Sequence, residues 1–244
     1  MSRSLAASIR LRQHEHLMPV LSEIKVRSPK DGDLLRGRAP EALAGAMAAC
    51  PIAGLSVVTE ADDFGGDLDI VRRVRPMVTV PILRKDFLST EDDLDETVAA
   101  GADAVLLTVC MQADEPLARL HAAARERGLE TLVEVHDEDD VRRLRALGLR
   151  PDVLGINNRD ILVREVDDGD VTVTERLAAL FFGDTPDPGV PGDTILLSES
   201  AIAGPEDAVR AREAGAGAVL VGTSILQAAD PGAAIRALVG VGWP

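Results

Sequence analysis

Hydrophobic and polar positions alternate between two patterns along the chain. Short aliphatic runs, typical of buried parallel strands, are separated by longer segments in which apolar residues recur every three or four positions, as in amphipathic helices. After one leading helix, the strand-helix pattern repeats eight times with no composition break that would mark a linker. The predicted strands are residues 19–26, 54–59, 81–87, 104–109, 131–135, 153–157, 194–198 and 218–221, and the predicted helices are residues 4–17, 40–49, 67–74, 90–100, 114–127, 138–147, 173–181, 205–214 and 231–239.

An internal repeat supports this count of strands. The sequence Ala-Gly-Ala-Asp-Ala-Val-Leu at residues 100–106 recurs as Ala-Gly-Ala-Gly-Ala-Val-Leu at residues 214–220, so a helix-ending glycine leads twice into the same strand. The two segments lie 114 residues apart, about four strand-helix units of roughly 28 residues, which is half of an eightfold barrel.

We therefore predict an α/β fold: one (β/α)8 TIM-barrel domain over residues 1–244, with residues 1–18 as a short helical N-terminal extension. The competing fold is an open, doubly wound parallel sheet. No Gly-x-Gly-x-x-Gly motif follows the first strand, which favours the closed barrel. The Pro- and Gly-rich segment 183–193 joins a helix to a strand, so we expect it to be a surface insertion on the non-catalytic face.

Composition and charge narrow the classes of partner. Apolar residues make up 46% of the chain and aromatic residues only 2%, so the core must be aliphatic. The net charge of −15 repels phosphate backbones and anionic lipids, so we expect neither nucleic acid nor a membrane surface as partner. An Arg-rich, acidic chain of this kind is also typical of salt-adapted proteins.

Cys50 and Cys110 lack metal-type spacing, and we interpret them as reduced thiols. We predict no metal and no cofactor. The first residues lack the apolar region of a signal peptide, and no apolar run approaches the ~18 residues of a membrane span, so we expect a cytoplasmic protein.

Polar residues gather where the predicted strands end. Along each strand, alternate side chains share a face, so an inward-facing leucine lies one layer below the polar residue, as Leu83 does below the lysine at position 85. Charged groups at the end of a covered strand are costly unless they are paired or bind a ligand. We predict a site at the barrel mouth, although an ion-pair network that only plugs the barrel would show the same pattern. The six residues are Glu23, Lys25, Lys85, Glu134, Asn157 and Glu199.

A phosphate site is predicted after the last two strands. Gly222 and Thr223 follow the eighth strand and lead into a short helical segment, and Ser200 follows the seventh. Backbone N–H groups at a helix start bind anions, and barrels commonly place such a site after strands 7 and 8. Ser28, in the loop after the first strand, could add a hydroxyl group.

Six motifs, in this order, resemble the indole-3-glycerol phosphate synthase family, the ring-closing enzymes of tryptophan biosynthesis. The resemblance covers roughly residues 20–239. The motifs are residues 23–29 (Glu-Ile-Lys-Val-Arg-Ser-Pro), 55–60 with 64–66 (Leu-Ser-Val-Val-Thr-Glu and Phe-Gly-Gly), 83–87 (Leu-Arg-Lys-Asp-Phe), 132–136 (Leu-Val-Glu-Val-His), 155–160 (Gly-Ile-Asn-Asn-Arg-Asp) and 198–200 (Ser-Glu-Ser).

The resemblance implies a substrate and a set of roles. The substrate would be 1-(2-carboxyphenylamino)-1-deoxyribulose 5-phosphate, closed to indole-3-glycerol phosphate with loss of carbon dioxide and water. Lys85 would be the general acid, and Glu134, Glu23 and Lys25 would serve the later proton removal and loss of hydroxide. Lys25 would also meet the substrate carboxylate. The residues implied to position the substrate are Asn157, Arg159 and Glu199 at the sugar and the mobile loop, and Phe87 and Leu106 at the aryl ring. Other enzymes of the tryptophan pathway are candidate partners.

The chain departs from the family pattern at two places. The family usually has a longer N-terminal extension that folds over the mouth, whereas 22 residues precede Glu23 here. Ala201 stands where the family has glycine, and weaker phosphate binding is the expected effect. His136, just past the fifth strand, is expected to be a hydrogen-bonding residue of the rim.

Three other functions fit a phosphate-binding barrel with lysines at its mouth. A Schiff-base aldolase would use Lys85 as its nucleophile. A phosphosugar isomerase would need an acid and a base facing each other across the mouth. A barrel that binds a phosphorylated ligand without turnover is the alternative that involves no catalysis.

Overall fold

Eight parallel strands close into a barrel, so the predicted (β/α)8 fold is confirmed and the open sheet is excluded. The structure is a computed structural model that describes residues 3–163, 166–182 and 194–244, and the predicted insertion at 183–193 lies outside these residues. Each strand pairs with its neighbours in sequence, and the last pairs with the first. The barrel strands are β1 Val20–Ile24, β2 Gly54–Val58, β3 Ile82–Lys85, β4 Ala104–Thr108, β5 Glu130–Val135, β6 Val153–Asn157, β7 Ile195–Glu199 and β8 Ala218–Val221.

The helices surround the barrel, and local sequence signals mark where they begin and end. At the helix that follows β3, Thr90 and Asp93 form a reciprocal capping box, and Gly101 ends the helix in the left-handed conformation. None of the helices in the described ranges is both long and apolar enough to cross a bilayer. They are α1 Leu5–His14, α2 Pro40–Ala48, α3 Leu68–Val74, α4 Glu91–Ala100, α5 Asp114–Glu126, α6 Glu138–Leu147, α7 Thr172–Phe182, α8 Pro205–Glu213, α9 Thr223–Gln227 and α10 Pro231–Val239.

Two strands end two residues before their predicted ends, and both differences fall at the mouth. After β1 the chain turns into a two-residue ribbon, in which Arg27–Ser28 pairs antiparallel with Gly32–Asp33. After β3 the chain leaves the sheet before Phe87. Lys25 and Phe87 therefore lie in loops just above the barrel rim, where their side chains reach over the mouth.

The interior of the barrel is aliphatic, as the composition predicts. Inward-facing leucines such as Leu21, Leu83, Leu132 and Leu197 form one buried cluster, and the residues that face outward from the strands pack under the helices in two more. Buried glutamates such as Glu23, Glu134 and Glu199 cluster at the carboxyl ends of the strands, which is the catalytic end of such barrels.

Helix α1 covers the opposite end of the barrel, which we call the floor. Its Leu5 and Ile9 are buried in the interior cluster. Glu130, at the start of β5, accepts a hydrogen bond from the Ala6 backbone (3.0 Å), and Gln13 donates to the carbonyl of Gly217, just before β8 (2.8 Å). The described N-terminal segment thus closes the floor and leaves the mouth open.

We expect Ile9→Ala to destabilise the protein by about 2–5 kcal/mol, because Ile9 is fully buried between the floor and the barrel interior. Leu11→Ala is the matched control on the same helix: Leu11 is 49% exposed, so its loss should cost less than about 0.5 kcal/mol. Urea unfolding measures both. Equal effects would show that α1 does not seal the floor.

We also expect the melting temperature to rise with potassium chloride. At a net charge of −15, repulsion among surface carboxylates destabilises the folded state, and added salt screens it. Sodium and potassium chloride at matched ionic strength separate screening from a specific ion effect. A melting temperature that is flat or falls with salt would contradict this expectation.

Candidate active site

Lys85 is the centre of the polar cluster at the mouth. Its Nζ lies 2.7 Å from Glu199 Oε2 and 3.9 Å from both Glu23 Oε2 and Glu134 Oε2. The four residues end β1, β3, β5 and β7, so alternate strands of the closed barrel aim them at one point. One ammonium group therefore faces three buried carboxylates from separate strands.

The second lysine of the cluster stands beside Glu23. Lys25 Nζ lies 3.7 Å from Glu23 Oε1 and 5.6 Å from the centre of the Phe64 ring, which gives it an ion pair and a cation–π contact. Ser56, on β2, donates a hydrogen bond to the other oxygen of Glu23 (3.2 Å). The Glu23 carboxylate is thus fixed between Lys25, Lys85 and a hydroxyl group.

Glu134 is held by neutral donors on the adjacent strands. Asn157 Nδ2 donates to Oε2 (3.2 Å), and the Thr108 hydroxyl donates to Oε1 (3.3 Å). His136 Nε2 lies 3.4 Å from the same Oε1. Asn157 also accepts a hydrogen bond from the backbone of Arg159 (3.0 Å) through its amide oxygen, which fixes the orientation of its donor end.

Glu199 carries the most perturbed carboxyl of the mouth. Burial raises its pKa, the charge of Lys85 lowers it, and the charge of Glu134 raises it again, to about 8. Glycine at position 155 leaves room for this carboxyl group, because a Cβ there would lie 2.4 Å from Glu199 Oε1. The mouth therefore holds one carboxyl group whose charged form is disfavoured by burial.

An apolar cavity of about 360 Å³ opens on one side of the lysines. Phe87 and Leu106, the predicted aryl contacts, both line it. Three further apolar residues line its wall without having been predicted as site residues: Val58, Phe64 and Ile161. Phe64 belongs to a quoted motif and is one of only four phenylalanines, which is the signal that could have marked it.

A larger cavity of about 1100 Å³ opens on the other side, and it is polar. The predicted phosphate residues Ser200, Gly222 and Thr223 line it together with Arg159. Lys30, from the loop after β1, also lines it and forms an ion pair with Asp168 in the loop after β6.

Ser28 does not line the polar cavity, contrary to the suggestion drawn from the sequence. It is buried, and its hydroxyl donates to Asp31 Oδ2 (3.1 Å) and accepts from the Asp31 backbone (2.9 Å). The loop uses this hydroxyl to shape its own turn, which a linear sequence cannot reveal.

The turn after β7 is strained where it meets the polar cavity. Ser200 and Ala201 have φ angles of 63° and 55°, a left-handed conformation that costs a non-glycine residue roughly 1–2 kcal/mol. Asn158 Nδ2 donates to the carbonyls of Glu199 and Ser200 (3.0 Å each) and holds the turn. Backbone strain in the wall of a cavity is typical of binding sites, where the surrounding structure holds the backbone in one conformation.

Behind Glu134, the structure places a cysteine beside a histidine and an aspartate. The ligand-type atoms of Cys110, His136 and Asp140 lie within 4.8 Å of one another. These atoms already contact each other, with His136 Nδ1 3.6 Å from Cys110 Sγ and 3.5 Å from Asp140 Oδ2, and we assign no metal to them. His136 thus lies just past β5, behind Glu134, with a half-buried ring that contacts Cys110 and Asp140.

The comparisons with known proteins agree with this geometry. The family model of indole-3-glycerol phosphate synthase matches residues 2–238. Curated proteins of that name are 40% identical over 91% of each chain in Pyrococcus furiosus, and 43% identical over 91% of this chain and 80% of the relative in Nocardioides sp.. The relative from Halobacterium salinarum is 40% identical over 92% of this chain and 82% of its own. The matched region includes all eight strands and every residue of the mouth, and the chain belongs to the indole-3-glycerol phosphate synthase family.

Proposed function

We propose that the barrel mouth closes the indole ring of 1-(2-carboxyphenylamino)-1-deoxyribulose 5-phosphate, with Lys85 as general acid. The observation that carries this proposal is the junction of the two cavities. Glu23, Lys25 and Lys85 line both the apolar cavity and the polar one. A substrate with an aryl ring at one end and a phosphate at the other would place its ketone and carboxylate at these residues.

The two cavities suit the two ends of the substrate. The aryl ring fits among Phe64, Phe87 and Leu106, which remove it from water. The phosphate fits the polar cavity, where Arg159 and Lys30 supply positive charge in a chain that is otherwise strongly acidic. The strained turn at Ser200 adds rigid backbone at the same end.

The chemistry follows from the charges at the junction. The aryl carbon that bears the carboxylate attacks the ketone carbon, and Lys85 protonates the ketone oxygen as the new carbon–carbon bond forms. The carboxylate, held by Lys25, then leaves as carbon dioxide and returns its electron pair to the ring. Loss of the hydroxyl group as water, with removal of a proton, completes the indole, and Glu134, Glu23 and Lys25 serve these transfers.

Glu199 and Asn157 position rather than react in this scheme. Glu199 lies at the shortest distance from Lys85, 2.7 Å, so it fixes the direction of the acid. The negative charge of the surrounding carboxyl groups stabilises Lys85 as an ammonium group, which donates a proton but cannot attack a carbonyl. This arrangement disfavours the Schiff-base aldolase, for which borohydride trapping with substrate would yield a covalent adduct.

We further propose a cytoplasmic location, with other enzymes of tryptophan biosynthesis as candidate partners. Both cysteines are free thiols, which is typical of proteins in a reducing compartment. A substrate and product that both carry phosphate also suit a compartment in which phosphorylated metabolites are kept.

We expect Lys85→Met to lower kcat for ring closure at least ~100-fold, because it removes the general acid and keeps the volume of the side chain. Lys30→Met is the matched variant: it removes a lysine from the polar cavity only, so KM should rise with little change in kcat. Steady-state fluorescence of the indole product measures both, and circular dichroism checks the fold. Near-normal turnover by Lys85→Met would remove the proposed mechanism.

We expect Ala201→Gly to lower KM and to stabilise the protein by about 1 kcal/mol, because glycine adopts a φ of 55° without strain and removes a methyl group from the phosphate side. Ala203→Gly, in the same turn but without a left-handed backbone, should give neither gain. Competition by inorganic phosphate and thermal melting measure the two effects. An unchanged KM would mean that Ala201 does not weaken phosphate binding.

A further inference from the structure

His136 lies directly behind the carboxylate to which we give a catalytic role. Its Nε2 is 3.4 Å from Glu134 Oε1, on the side of Glu134 away from Lys85. Its Nδ1 is 3.5 Å from Asp140 Oδ2, on α6, and 3.6 Å from Cys110 Sγ, in the turn after β4. The imidazole is 10% exposed, so its partners are these three groups rather than solvent.

We propose that His136 is a positioning residue for ring closure: as an imidazolium held by Asp140, it keeps Glu134 ionised and leaves the proton shared by the buried carboxyl groups on Glu199. The proposal rests on the function given above for Glu134. In this proposal His136 decides which of the two glutamates, Glu134 or Glu199, is ionised, without contacting Lys85.

Glu134 and Glu199 differ in how many hydrogen-bond donors stabilise their ionised forms. Glu134 accepts from Asn157 and Thr108 and faces His136, so both of its oxygens meet donors. Glu199 meets Lys85 through Oε2, whereas its buried Oε1 accepts no hydrogen bond from any residue the structure describes. His136 Nε2 likewise makes no hydrogen bond within the described part of the chain, so it acts on Glu134 through its charge at 3.4 Å. Glu134 thus has donors at both oxygens and Glu199 at one, which places the proton on Glu199.

Asp140 is what keeps the imidazole charged. Its Oδ2 also accepts a hydrogen bond from the His136 backbone (3.0 Å), and Asp137 caps its own N–H, so the carboxylate is fixed at the start of α6. Burial alone would lower the pKa of His136, but the hydrogen bonds to Asp140 and Cys110 and the charge of Glu134 raise it to about 11. Arg143, on the same helix, is bound to the carbonyls of Val109 and Gln112 and to Asp114.

The test is the pH profile of kcat/KM for His136→Gln. Glutamine keeps a hydrogen-bond donor near Glu134 and removes the positive charge that favours its carboxylate. Because an opposite charge within 4–6 Å typically shifts a carboxyl group's proton equilibrium by 1–3 pH units, the acid limb of the profile should move up by about one pH unit or more. Activity should recover at higher pH. Asp140→Asn should move the limb in the same direction by less.

His121→Gln is the matched control. His121, on α5, is buried, and burial lowers its pKa, so its replacement removes no charge at neutral pH. Its profile should keep the wild-type position. A His136→Gln profile that is scaled down at every pH without a shift would overturn the proposal and leave a packing role.

A direct measurement covers the case in which His136→Gln does not fold. The chain has four histidines, and in wild-type protein labelled at histidine nitrogen, the His136 resonances should stay those of a doubly protonated ring up to about pH 9. A His136 signal that titrates near 6.5 overturns the proposal. Glu134→Gln separates the two claims: normal turnover in that variant refutes the role of Glu134 itself, whereas an inactive Glu134→Gln with an unshifted His136→Gln refutes only this inference.

Discussion

The contact of one ammonium group with three buried carboxyl groups is the constraint on which the rest of the mouth depends. The three glutamate side chains are almost fully buried, so their charge is tolerated because Lys85 stands within 4 Å of each. That requirement extends to the scaffold. The glycine at 155 leaves room for Glu199, and Ser56 supplies a donor to Glu23, so strands that contribute no charge are still shaped by the charges beside them.

The barrel separates what makes it stable from what makes it react. Aliphatic layers and the helix at the floor contain almost no polar groups that need a ligand, and they hold the strands in register. The carboxyl ends of the strands hold buried charges, a left-handed turn and a carboxyl group with a raised pKa, all of which are unfavourable for folding. The free energy gained by packing in the interior and at the floor therefore offsets the cost of strain and buried charge at the mouth of the same eight strands.

The sequence was informative wherever the signal is local or periodic. Aliphatic runs, helix caps and the repeated glycine segment were enough to predict a closed barrel, and the position of polar residues at strand ends placed six groups in one layer. What could not be predicted depends on contacts between distant segments. Phe64 reaches Lys25 only because a loop folds back over the mouth, and His136 meets Cys110 and Asp140 only when two loops and a helix converge. Ser28 shows the reverse case, since its hydroxyl is used within its own turn.

The location of the described chain ends has a consequence for how this barrel can be joined to other proteins. Helix α1 lies across the floor, and the last residues return to the same region, where Trp243 donates its backbone N–H to the carbonyl of His16 (3.0 Å) and Met18 donates to that of Val239 (3.1 Å). Both termini thus leave the molecule on the side away from the substrate. A second enzyme, a surface anchor or an affinity tag can be tethered at either one without standing in the path by which small molecules come and go.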